Sequence, residues 1–403
     1  MEAVPGMYDD ELAFPFAGQF TRNSFTRITK GLYGRPPPST LSIDLGDVSH
    51  AYATAVVPLI SLVRHLEANG TEVDIRYPFN DSYWELAGWK QLLEGRSAPP
   101  IDSRRSYVPV QAYSDVAELS DSVNAAIEVL SRHMDCSPGV LDSVAWTLNE
   151  LADNVLIHAG EPGASVEGFM QVVCHPEREN VALVVSDYGR GVRASLSQSH
   201  SVRDDEHALA MAIQAGVTRD LNAGQGNGLA GSVRIVSAAG GELTIMSGNA
   251  ELRIVNGDTS THVSGQVPGT SVSLVLPTSV GIDISQALWG TPPTSEFEMS
   301  HLDESDEIVF RVAEEATGFG NRQTGWQLRT KLQNLMRQFQ ESRVRVDFAG
   351  VALVSASFAD EFIAKLVVDM GHFSFFARVR IANTNRLISQ TLDNVIKQRS
   401  QPG

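Results

Sequence analysis

Leu148-Asn149-Glu150-Leu151-Ala152-Asp153-Asn154-Val155-Leu156-Ile157-His158-Ala159 is the stretch whose reading decides the fold. It predicts a helix with two unlike faces. Val144, Leu148, Leu151 and Val155 recur at steps of four, three and four and form one apolar stripe. Glu150 and Asn154 are one turn apart and project together from a neighbouring face. A carboxylate and a carboxamide held side by side can do two jobs. The amide oxygen can ligate a hard cation such as Mg, and the carboxylate can orient or deprotonate a nucleophile. Taken alone, the pair reads more readily as a surface Glu at an asparagine-bearing helix end. The rest of the chain decides between the two.

A chain of 403 residues suggests two or three domains. Its 42% hydrophobic and 20% charged residues describe an ordinary globular protein. The net charge of -17 argues against general binding to nucleic acid or to an anionic membrane. No apolar run reaches transmembrane length, and Met1–Asp10 does not read as a signal peptide. Cys136 and Cys174 have no metal-ligand spacing, so the expectation is a reducing cytoplasm without a disulfide framework.

Residues 1–39 end in Pro36-Pro37-Pro38 and read as an N-terminal arm whose order the sequence does not specify. Residues 40–100 predict a small α/β unit: strand Thr40–Leu45, helix Ala55–Glu67, strand Thr71–Tyr77 and helix Trp84–Leu93. Residues 106–278 predict a larger α+β domain. It starts with strand Ser106–Tyr113, helix Val116–His133 and the Glu150 helix. A hairpin of Glu167–His175 and Asn180–Asp187 follows. Then come a helical Glu206–Ala215, a helix opening at Gly224, and strands Glu242–Met246, Glu251–Val255 and Ser271–Leu276. Residues 279–303, with Pro292-Pro293, read as a linker. Residues 304–400 predict a second small α/β unit. Its strands are Glu307–Val312, Val344–Phe348 and Ala377–Asn383, and its helices Gly325–Glu341, Phe358–Met370 and Arg386–Lys397.

The two small units echo each other. Ile43-Asp44-Leu45, Val48, Ala53-Thr54 and Leu59-Ile60 match Val346-Asp347-Phe348, Val351, Ala356-Ser357 and Phe362-Ile363, each pair offset by 303. In both, a strand ends in Asp and a hydroxyl stands at the start of a helix. Thr54 and Ser357 can therefore be helix N-caps.

Three glycine-bearing pieces follow the Glu150 helix. Asp187-x-Gly189-x-Gly191 comes after a strand, where an acceptor carboxylate suits the exocyclic amine of adenine and glycines permit close approach. Gly224-x-Gly226-x-Gly228-Leu229 opens a helix, whose free N–H groups and dipole suit phosphates. Gly269-Thr270 precedes the closing strand and adds a hydroxyl donor. Each piece alone is weak; together, in this order and context, they are specific.

The middle of the chain, roughly Ser106–Pro277, resembles the GHKL (Bergerat-fold) ATPase superfamily, which includes gyrase, histidine kinases, MutL and the anti-sigma-factor serine kinases. Asn149-Glu150, Asp153-Asn154 and His158-Ala159 look like its N box. Asp187–Gly191 looks like the first glycine box, Gly224–Leu229 like the second, and residues 192–223 like the ATP lid. The resemblance implies ATP and Mg as cofactors, with Asn154 on Mg, Asp187 on adenine, Glu150 as the base, and the glycines and Thr270 on the phosphates. No histidine-kinase phosphoacceptor helix is seen, since Arg132-His133-Met134-Asp135 does not match one, and no gyrase-like transducer domain is present. The C-terminal unit resembles a STAS-like domain of unknown function, and the N-terminal one a degenerate STAS fold. This makes the nucleotide domain most similar to the anti-sigma-factor serine kinases, whose partners are STAS domains.

The expected fold is thus α/β, an α+β GHKL sandwich between two STAS-like units. The expected partner is a protein: a STAS domain, a sigma factor, another regulator, or a second copy of the chain. Three functions stay open at this point: a regulatory switch with Ser/Thr kinase activity, an ATPase driving a conformational cycle, and a sensor that binds ATP or ADP without turnover. By the same resemblance, Ser357 and Thr54 stand where STAS partners carry a phosphoacceptor.

Overall fold

The computed structural model describes residues 11–160, 166–214, 228–289, 307–339 and 342–400. At its centre is a five-stranded antiparallel sheet in the order β4-β5-β6-β8-β7. The strands are β4 (Gln111–Tyr113), β5 (Gly168–His175), β6 (Asn180–Asp187), β7 (Glu242–Val255) and β8 (Asp258–Pro277). One face of the sheet carries three helices: α5 (Val116–His133), α6 (Val140–Asn154) and α9 (Gly228–Ala239). Val144, Leu148, Leu151 and Val155 are all buried in the core between them, as the stripe predicted. Helix α5 begins where Asp115 accepts the N–H groups of Ala117 and Glu118 at 2.8 and 2.9 Å. Helix α6 begins at Gly139, whose φ of +78° and contact with the Ile282 carbonyl leave no room for a β-carbon.

The N-terminal unit is a three-stranded parallel sheet, β1-β2-β3, made of β1 (Glu11–Phe20), β2 (Thr40–Ala51) and β3 (Glu72–Arg76). Helices α1 (Arg22–Leu32) and α2 (Ala53–Ala68) connect its strands. Residues 11–32, read from the sequence only as part of an arm, are therefore a strand and a helix of this unit. Pro15 and Gly18 disguise the strand, and they are tolerated because β1 is an edge. The predicted helix Trp84–Leu93 is instead two turns, α3 (Ser82–Leu86) and α4 (Trp89–Leu93), broken at Gly88 with φ +76°. Of the expected strand Ser106–Tyr113, only Gln111–Tyr113 pairs with β5.

The C-terminal unit repeats the plan. Its strands β9 (Ile308–Arg311), β10 (Val344–Asp347) and β11 (Val379–Ala382) are parallel, with β10 in the middle. The first crossover is α11 (Arg322–Gln338); the second runs from Ala356–Ala359 through a π turn, Asp360–Ala364, to Lys365–Met370. The offset of 303 survives in detail. Asp44 accepts the N–H of Gly46 at 2.9 Å, and Asp347 accepts that of Ala349 at 2.8 Å.

The two units dock by different physics. Helices α1 and α2 cover the sheet face opposite α5, α6 and α9, and Phe169, Val184, Met246 and Val267 of the sheet share one apolar core with the N-terminal unit. The C-terminal unit keeps its own core and meets α5 through α11. That contact is polar. Lys331, buried, reaches Glu128 at 2.8 Å and Glu315 at 2.9 Å, and buried Arg132 joins the same two carboxylates. Buried charges are tolerated here because each is paired.

The predicted strands Glu242–Met246 and Glu251–Val255 are one strand, bulged at Gly248, and the third extends back to Asp258 to complete a long hairpin with it. The outer half of β8 is largely exposed and polar, so it carried no core pattern to read. Among the described residues, no helix is long and apolar enough to cross a membrane.

Candidate functional site

Glu150 and Asn154 lie on the last turn of α6, which continues as a π turn through Val155–Ala159. Single π turns of this kind are frequent at functional sites. Both side chains meet the first residue of α9. A β-carbon at Gly228 would stand 2.7 Å from Glu150 Oε2 and 3.2 Å from Asn154 Nδ2. The glycine thus lets a helix N-terminus come flush against a carboxylate and a carboxamide. Burial, with Asp153 nearby, pushes the Glu150 carboxyl above its usual range. A proton acceptor of this kind is better matched to neutral pH than an ordinary Glu.

At the other end of the site, Asp187 is buried at the end of β6. It accepts the N–H of Gly189 at 2.7 Å and is also hydrogen-bonded by the Thr270 backbone. Desolvation outweighs these bonds and raises its pKa to about 7. The Gly189–Gly191 loop is tied to the π turn, since Arg190 N–H donates to the Ala159 carbonyl at 2.9 Å. Gly269, φ +64°, leaves no room for a β-carbon beside Asp187. Ser247 closes this corner: its hydroxyl donates to the Gly269 carbonyl at 2.7 Å and accepts Val192 N–H at 3.0 Å.

The sheet sets these groups in a row. Tyr113 pairs with Gly168, Gly168 with Asp187, and Thr270 with Ser247. Asp187 and Thr270 were singled out from the sequence; Tyr113 and Ser247, which pair beside them, were not. Neither belongs to a glycine pattern; only strand pairing brings them to the site.

Glu150, Asn154, Asp187, Gly189, Gly191, Gly228, Leu229 and Thr270 thus all fall on elements that surround one region. Gly224 and Gly226 lie outside the described residues, as does the part of the expected lid from 215 to 223. The described part of the lid holds α7 (Gly191–Leu196) and α8 (Asp205–Ala212). A helix N-terminus is suited to a phosphate, and a carboxamide such as that of Asn154 can offer an oxygen to a hard cation. Among the described residues, no three His, Cys, Asp or Glu side chains are grouped as a metal cage.

The expected helix caps need correcting. The N-cap of the Ala356 helix is Ser355, which accepts Phe358 N–H at 3.0 Å, and Ser357 is an exposed second helical residue. In α2 the N-cap is Tyr52, and Thr54 again is the second helical residue. Neither hydroxyl caps its helix.

Residues 139–280 match the family model of histidine kinase-, DNA gyrase B-, and HSP90-like ATPases. Residues 324–388 match the model of a STAS-like domain of unknown function. No curated protein matches the chain. The central domain is therefore a GHKL ATPase domain, which implies ATP binding, and the C-terminal unit is STAS-like.

Proposed function

We propose that the chain is an ATP-dependent regulatory protein of anti-sigma-kinase type, whose nucleotide site controls its flanking α/β units or a protein they hold. ATP binds with Mg at Asn154, adenine at Asp187, and phosphates at the N-terminus of α9. Glu150 takes the proton from an attacking hydroxyl as the γ-phosphoryl group moves to it and ADP leaves. The nucleophile is a Ser or Thr of a STAS-like domain. Support for counting the N-terminal unit in that class comes from its strand order and from its echo of the C-terminal one.

One observation carries the regulatory part of this reading. The helix bearing Glu150 and Asn154 begins in a loop held by the C-terminal unit. Cys136 N–H donates to Asn334 at 3.0 Å, and Gly139 N–H donates to Gln338 at 2.7 Å. Asn334 also donates to the carbonyls of Ser131 and Met134 at 3.2 and 3.0 Å. A shift of α6 on nucleotide binding would strain these bonds, and release of the C-terminal unit would free α6. The N-terminal unit packs on the other face of the sheet. Leu62 and His65 of α2 line a cleft of about 750 Å³ together with the Gly189–Gly191 loop.

Incubation of the full chain with Mg and γ-labelled ATP tests the reading. Label on protein supports the kinase. Released phosphate alone makes the protein an ATPase, and neither makes it a sensor.

A further inference from the structure

Tyr113 is a buried residue of the central domain that the proposed chemistry does not yet use. It lies on β4, the edge strand, two strands from Asp187 along one rung of the sheet. Between them stands Gly168. A β-carbon there would fall 2.3 Å from Tyr113 Cζ and 2.5 Å from its hydroxyl oxygen. The phenol therefore lies across the position where a residue-168 side chain would stand. Its hydroxyl sits over β5, about one strand spacing, or roughly 4.8 Å, from the β6 backbone at Asp187.

The ring is buried, and its hydroxyl has no hydrogen-bond partner among the described residues. Asp187 and Asp153 are the two charged groups that bear on it. A buried hydroxyl without a partner is destabilising, and natural structures keep such groups for a reason. Gly168 and Tyr113 are complementary: the missing side chain of one admits the ring of the other. The arrangement puts an O–H donor and a carboxylate acceptor on one rung of the sheet, with only Gly168 between them.

Adenine presents the matching pair. Its exocyclic amine is a donor, and a ring nitrogen that accepts flanks it on either side. Guanine puts a carbonyl where the amine would be, facing Asp187 with an acceptor. We propose that Tyr113 is a specificity-determining residue of the nucleotide site, donating its O–H to a ring nitrogen beside the adenine amine while Asp187 accepts from that amine. The inference rests on the reading of Asp187 as the adenine acceptor.

The test is calorimetric titration of the full chain with ATP, 1-deaza-ATP, 7-deaza-ATP and GTP, all with Mg. Tyr113→Phe keeps the ring and removes the donor. It binds ATP about 3- to 10-fold more weakly. Its thermal midpoint without nucleotide is unchanged or higher, because an unpaired buried hydroxyl is gone. In the wild type one deaza analogue shows the same loss, and Tyr113→Phe no longer distinguishes that analogue from ATP. Wild-type ATP binding by Tyr113→Phe overturns the inference, as does a wild type that binds both analogues like ATP. Asp187→Asn separates the two levels. If it also leaves ATP binding unchanged, the adenine reading itself fails; if it weakens binding and Tyr113→Phe does not, only the role of Tyr113 fails.

Discussion

Gly228 lies against Glu150, so closely that a β-carbon on the glycine would stand 2.7 Å from the carboxylate. The atom in the way is the far end of a flexible side chain, not backbone. Gly228→Ala should therefore fold, and by helix propensity gain up to about 1 kcal/mol. The Glu150 carboxylate must move instead. The expected outcome is an unchanged or raised thermal midpoint with phosphoryl transfer or hydrolysis reduced about tenfold or more, read by single-turnover release from labelled ATP. Full activity would show that Glu150 does not act from this position.

Asp187→Asn keeps the size of the side chain but replaces a pure acceptor with a group that also donates. ATP binding should weaken by at least about 1 kcal/mol. The wild type should also respond to pH. With a folded-state pKa raised from 3.8 to about 7, more of the carboxylate is ionised as pH rises through that value. The ionised form is the one that accepts from adenine, so ATP affinity should increase from pH 6 to pH 8. Stability of the nucleotide-free protein moves the other way. The protonated, buried Asp187 favours the folded state fully below about pH 4, and this contribution is lost as pH rises through about 7. Titrations of affinity and of melting temperature across this window check both signs, and both slopes should flatten in Asp187→Asn.

Asn154→Ala removes an oxygen ligand for a hard cation. ATP binding measured with Mg should fall, while binding measured in EDTA should hardly change. Identical titrations of wild type and variant under both conditions would remove Asn154 from the metal site.

Asn334→Ala strips three hydrogen bonds, one from the end of α5 and two from the loop ahead of α6. It should destabilise the docked C-terminal unit by about 1–3 kcal/mol, because the freed Ser131, Met134 and Cys136 backbone groups are left without that partner. If that unit regulates the nucleotide site, ATP affinity or turnover should change as well, although Asn334 is not part of the site. A variant that loosens the C-terminal unit in hydrogen exchange yet leaves nucleotide kinetics untouched would sever the coupling.

Ser357 is exposed at the second position of its helix, free of any capping role. Phosphate there adds about -1.5 to -2 charges beside a helix N-terminus, which tolerates them. Intact mass after incubation with Mg-ATP should show an adduct that is lost in Ser357→Ala and in Glu150→Ala. Thr54→Ala should leave the adduct in place, since Thr54 is half-buried in the N-terminal unit. An unmodified chain that still releases phosphate would leave an ATPase with docking domains.

Local periodicity was enough to read the Glu150 helix, because one stripe at helical spacing needs no partner to be recognised. The same holds for Asp187 at its strand end and for the paired design of the outer units, whose turns repeat residue by residue. Gly228 was found as part of a glycine run, but its contact with Glu150 belongs to the packing of α9 on α6. Tyr113 was invisible: it sits in a strand only three residues long, and its meaning depends on Gly168 and Asp187, more than fifty and seventy residues away, falling on one rung. The two docking modes were equally hidden. Two units with matched sequence plans meet opposite faces of the central domain, one through a shared apolar core and one through Lys331, Arg132 and Asn334. A one-dimensional pattern records which side of an element is apolar. Which other element covers that side is set by strand pairing and close packing across the whole chain, and only the tertiary structure decided it.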